Sequence, residues 1–160
     1  MMTQTQQPVT TRTSILSAAV TAAFGFVVYV VAMICGEVFD VNFDSHVGTS
    51  HRHTIWESMT DLAPEFAIAL VGVAIAVWAG RRAWLGRTSR LPRTALVLAV
   101  IAVITFVVFW AGWSNVFGAV AVGLAVEHRR RIGSLDAATG IALALGILAF
   151  VAAAVTCVVG

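Results

Sequence analysis

The chain has 160 residues, of which 59% are hydrophobic and 11% charged, with a mean hydropathy of +0.92. A soluble domain of that composition would expose large apolar patches, so the chain reads as an all-α integral membrane protein. Its formal net charge of +2 is too small for a nucleic-acid partner. The partners left are the lipid bilayer and other membrane subunits, or further copies of the chain.

The charges are unevenly placed. Six of the eight carboxylates and three of the four histidines fall between Glu37 and Glu65. Eight of the ten arginines form two clusters, Arg81 to Arg93 and Arg129 to Arg131. By the positive-inside rule the arginines mark the cytoplasmic side and the acidic segment the opposite side. Lysine is absent, a bias typical of GC-rich bacterial genomes, which points to a multi-pass protein of a bacterial plasma membrane.

Residues 1–13, rich in Gln and Thr, read as a disordered cytoplasmic tail, and residues 14–160 as one transmembrane helical domain. The first span runs from about Ser14 to Cys35. It is too long for a removable signal peptide and lacks a small-residue cleavage pattern. Ala18, Ala19, Ala22, Ala23 and Gly25 make its first half suited to close helix approach.

An extracytoplasmic loop, 37–60, follows. The second span runs from about Leu62 to Gly80, with Asp61 as its cap and Pro64 tolerated in the first turn. Trp56, Trp78 and Trp84 suit the two interfacial belts. Arg81, Arg82, Arg87, Arg90 and Arg93, with Pro92, then form a cytoplasmic loop.

Thr94 to Glu127 is too long for one crossing, since a single helix there would measure roughly 50 Å. The Trp110-Ala-Gly-Trp-Ser-Asn stretch in its middle reads as a hairpin, with Gly112 closing one helix and Ser114 capping the next. The split gives a third span, about Thr94 to Ala111, and a short fourth, about Asn115 to Arg129. It returns Arg129 to Arg131 to the cytoplasm. The fifth span runs from about Ala137 to Val158, with Ala138, Ala142 and Gly146 as a small-residue packing face. The expected architecture is a bundle of five transmembrane helices, with four as the alternative. Its N-terminus is cytoplasmic and its C-terminus extracytoplasmic.

Cys35 and Cys157 form no CxxC and read as two buried thiols, a disulfide between them being the alternative. Candidate chemistry concentrates in the acidic loop. His51-x-His53 on an extended segment puts two imidazoles on one face, and Asp44-x-His46 offers the same geometry. His46, His51, His53, Glu57 and Asp61 therefore form a candidate site for a transition metal (Zn, Cu, Ni or Fe). A competing pattern places His53, Glu57, Asp61 and Glu65 on one helical stripe, which Pro64 tends to break. The plain reading of this segment is a solvated polar loop with no site, to which the metal site is the alternative and a proton sensor a third option.

Glu37 and Glu65 are candidate intramembrane carboxylates, although the positive end of a helix also favours Glu65 where it stands. His128, beside the arginine run, is expected to contact headgroups. No nucleophile motif, phosphate loop or pair of intramembrane histidines points to catalysis or haem. The leading expectation is a non-catalytic accessory subunit of a larger membrane complex. Extracytoplasmic metal capture, for delivery, sensing or transport, is the alternative, and a subunit of a metal-dependent membrane enzyme the third.

Overall fold

The computed structural model describes residues 11–39, 60 and 62–159, with 11–16 and 37–39 as backbone alone. Helix α1 spans Thr11–Phe39, α2 Ala63–Leu85, α3 Arg90–Ile104, α4 Trp113–Ile132 and α5 Ala137–Val159. A 3₁₀ segment, Thr105–Ala111, links α3 to α4. No strand occurs among the described residues.

Four stretches of the described residues are long and apolar enough to cross a membrane: Ser17–Gly36, Ala63–Leu85, Arg90–Ala111 and Ala137–Val159. By length and composition the chain is a multi-pass membrane protein. Helix α4 falls short of that standard because Glu127 and Arg129 to Arg131 crowd its last turns. It is nevertheless the centre of the bundle. It packs against α1, α2, α3 and α5, and Ser114 through Ala121 are buried without a break.

Small residues bring the other helices onto α4. A Cβ on Gly25 of α1 would lie 2.7 Å from the Asn115 carbonyl oxygen, and one on Gly118 of α4 would lie 2.9 Å from the Gly146 oxygen of α5. Backbone separations this close are open only to glycine. The seam on α5 follows Thr139, Ala142, Gly146, Ala149, Ala153 and Cys157, so Ala142 and Gly146 belong to it while Ala138 stands at its edge.

Between α3 and α4 the chain reverses. Val108 leaves helical geometry (φ −113°, ψ 50°), and Gly112 takes the left-handed conformation (φ 69°). The Ser114 hydroxyl then donates to the Ala102 carbonyl. In a continuous helix those residues would stand about 18 Å apart. Glycine is required at 112 twice over, because a Cβ would also meet the Tyr29 ring at 2.7 Å.

Several expected boundaries moved. Helix α2 continues past Gly80 to Leu85, so Arg81 and Arg82 are helical. The Arg82 guanidinium lies 4.7 Å from the Trp78 ring centroid, reaching along the helix rather than ending it. The N-cap of α2 is Leu62, with no side-chain cap of its own, and Asp61, expected as the cap, lies outside the described residues; Pro64 does sit in the first turn. Helix α3 begins at Arg90, which places Pro92 and Arg93 in its first turn and not in a loop. Ser114 does not cap α4, whose N-cap is Gly112 with no side-chain bond. Its hydroxyl is spent on α3 instead.

Candidate functional site

The loop ligands expected from the spacing, His46, His51, His53, Glu57 and Asp61, lie outside the described residues. Glu37 falls in the last turn of α1, where the backbone alone is described. Glu65 lies in the first turn of α2, half-buried, and its Oε2 finds no hydrogen-bond partner among the described residues. The positive end of the helix favours a carboxylate there. No group of three or more metal-ligating side chains occurs among the described residues.

Beside Glu65, Phe66 presents its ring edge-on to Tyr29, with centroids 5.9 Å apart. Tyr29 is fully buried, and its hydroxyl donates to the Trp110 carbonyl in the 3₁₀ segment. An unwound turn leaves carbonyls without helical partners, and the phenol supplies one. The Cys157 thiol lies 3.9 Å from the Phe109 carbonyl in the same segment. Cys35 and Cys157 are both free thiols.

Deeper at the same end, Asn115 is fully buried and donates from Nδ2 to the Phe150 carbonyl at 3.3 Å. Its Oδ1 has no partner among the described residues. The Trp113 indole donates to the Ile68 carbonyl at 3.0 Å. With the Ser114 bond, these tie the start of α4 to α2, α3 and α5, and Tyr29 ties α1 to the 3₁₀ segment before it.

The opposite end holds the arginines. His128 is only 3% exposed, so it does not reach headgroups as expected. Its Nε2 faces the Asp136 Oδ2 at 3.7 Å, and its Nδ1 finds no partner among the described residues. Asp136 caps α5 by accepting from the Thr139 amide at 2.8 Å. The Thr139 side chain, then that amide and nearby His128, hold the Asp136 carboxyl below the usual carboxylate range. A signal for this burial was present: Ser114, Phe117, Ala121, Leu124 and His128 recur every three or four residues, and all are buried.

Arg131 pairs with Glu127 at 2.8 Å and reaches the Trp84 carbonyl at 3.4 Å. That contact brings the end of α4 beside the end of α2, so the two arginine clusters share one end of the molecule. Between Asn115 and His128 every buried residue of α4 is apolar or glycine: Val116, Phe117, Gly118, Ala119, Val120, Ala121, Leu124 and Ala125. The buried polar side chains described on α4 and α5, Ser114 and Asn115 at one end and His128 and Thr139 at the other, thus form two separate clusters.

No protein-family model, curated protein or solved structure matches this chain.

Proposed function

We propose that the chain is a non-catalytic subunit of a larger membrane complex, crossing a bacterial plasma membrane five times. In this reading the N-terminus is cytoplasmic, the C-terminus extracytoplasmic, and α4 is the fourth of the five crossings despite its charges. The observation that carries it is the apolar stretch of α4 between Asn115 and His128. A carrier or channel needs polar groups or water along its path. The axis of this bundle is packed with Val, Ala, Leu and Phe instead.

Two contacts support the crossing of α4. The Ser114–Ala102 bond marks a reversal, and the Arg131–Trp84 bond returns the second arginine cluster to the first. The arginines at the end of α4 can extend to the headgroups from a short helix.

The test is purification from native membranes followed by native electrophoresis and reconstitution. The subunit reading expects a discrete complex of fixed stoichiometry, and proteoliposomes of the isolated chain without ion or solute flux. A monodisperse single chain, or a measurable flux, overturns it. Reporter fusions after residues 86, 112, 134 and 160 test the crossings separately. They should read cytoplasmic, extracytoplasmic, cytoplasmic and extracytoplasmic.

A second reading rests on three histidines within eight residues, His46 to His53, amid carboxylates. There the extracytoplasmic loop binds a transition metal through His46, His51 and His53, with Glu57 or Asp61 completing the shell. Metal analysis of the wild type and the triple His→Ala variant decides it, and equal contents dispose of it.

A further inference from the structure

An open groove of about 530 Å³ runs between α1, α4 and α5. Its walls are Val20 and Phe24 from α1 and Ile147 and Phe150 from α5, and its floor includes Val122 and Gly123 of α4. Here the otherwise enclosed α4 meets the outside. The Phe24 and Phe150 rings stack with centroids 5.8 Å apart. Phe150 lies level with Gly118, whose added Cβ would meet the Phe150 Cβ at 3.2 Å. The stack therefore stands at the end of the groove away from the arginines.

Toward the arginine end the floor continues along α4. Ala119, Val122, Gly123, Val126 and Arg130 share one face at helical spacing, and Val126 and Arg130 are exposed. Arg130 lies about 10 Å along the axis from Gly123 and about 16 Å from Ala119. The second figure is close to half of a ~30 Å hydrocarbon core. Arg130 makes no ion pair among the described residues, because the nearby Glu127 carboxylate is engaged by Arg131. The groove lining is apolar, and Arg130 stands about two turns beyond Gly123 on the same face of α4, an uncommitted cation at headgroup level.

We propose that this groove binds one anionic diacyl phospholipid of the cytoplasmic leaflet, its phosphate on Arg130 and one acyl chain along α4 up to the Phe24–Phe150 stack. Charge complementarity selects the occupant. A groove of similar size between α1 and α5, lined by Val27, Val31, Cys35, Val155 and Val159, opens toward the end of the molecule away from both arginine clusters and carries no such assignment. The proposal rests on the five-span reading, which puts Arg130 at the cytoplasmic headgroups.

Native mass spectrometry of the purified full chain, titrated with dioleoyl-phosphatidylglycerol or dioleoyl-phosphatidylcholine, tests it. Wild type is expected to hold one phosphatidylglycerol about fivefold or more tightly than phosphatidylcholine, the order expected for one arginine at an anionic headgroup. Arg130→Ala removes the preference. Val20→Trp, a change at an exposed rim position, weakens both lipids by filling the groove. Arg87→Ala removes an exposed charge from the connection between α2 and α3 and leaves the preference intact.

An Arg130→Ala protein that keeps the preference, or a Val20→Trp protein that binds like wild type, overturns the proposal. So does a wild-type dimer that Val20→Trp splits, since a second copy would then cover the face. A residue-134 reporter found outside the cytoplasm defeats the five-span reading itself, whereas lipid indifference with that reporter inside defeats the groove alone.

Discussion

The Tyr29 hydroxyl of α1 donates to the Trp110 carbonyl, the residue two before the Gly112 reversal, and the Tyr29 ring fills the space where a Cβ on Gly112 would lie. One side chain therefore bonds the unwound turn and restricts what can stand at its apex. Tyr29→Phe keeps the ring and loses the bond, and should lower stability by about 1 kcal/mol. Gly112→Ala should be worse, since left-handed geometry alone costs an L-residue roughly 1–2 kcal/mol and the ring overlap adds to it. Unfolding of both variants in mixed micelles, ranked against wild type, checks the order.

Gly25 marks a close backbone approach of α1 to α4. The obstacle to a Cβ there is the Asn115 carbonyl oxygen at 2.7 Å, with the Val116 Cα at 2.9 Å behind it. Backbone cannot rotate aside as a side chain does, so Gly25→Val should cost about 1–3 kcal/mol by forcing the helices apart. Gly140→Ala is the control, because a Cβ there meets nothing within 4 Å. It should be neutral or stabilising. Comparable melting of the two variants would contradict the seam.

Asp136 sets a pH dependence. Its folded pKa lies below the ordinary value, so its contribution to stability is complete above the unfolded pKa of ~3.9 and disappears as the pH falls through the folded value. Thermal unfolding between pH 7 and pH 3 should show a plateau and then an acid-side decline. Asp136→Asn still caps a helix but does not titrate, and should flatten its share of that decline. The size of the effect is limited because the carboxylate is half exposed.

Both thiols are free, although a Cβ on Gly36, next to Cys35, would lie 2.5 Å from the Cys157 carbonyl oxygen. The close approach is backbone against backbone. Gel mobility and melting temperature should therefore be unchanged by reductant. A shift on reduction would show a disulfide where the structure has none.

The helices were legible because they are long apolar runs separated by charged or turn-forming residues. The break at Gly112 was legible for a local reason, a glycine between aromatic residues in a run too long for one crossing. Helix ends were read less well. Arg81 and Arg82 marked a loop by their charge, yet α2 keeps them in the helix, one of them laid along Trp78. The position of His128 does not follow from its neighbours, Arg129 to Arg131, but from which face of α4 turns inward. That face depends on four other helices, and only the spacing from Ser114 to His128 hints at it. The ligand-bearing loop lies outside the described residues, so its histidines stand as its spacing alone leaves them.

The central position of α4 bears on how the molecule is built. Helices α1, α2 and α3 all pack against a helix that is synthesised after them. They can meet one another early, but the middle of the bundle stays vacant until the fourth helix arrives. Helix α4, with its charged last turns, is also the segment least able to enter a bilayer unaided. If it crosses as proposed, it comes in joined to α3 as a hairpin, or into a groove the earlier helices hold open. Maturation is then a single late closure, and a chain interrupted between Ala111 and Ile132 would leave a loose set of helices rather than a smaller bundle.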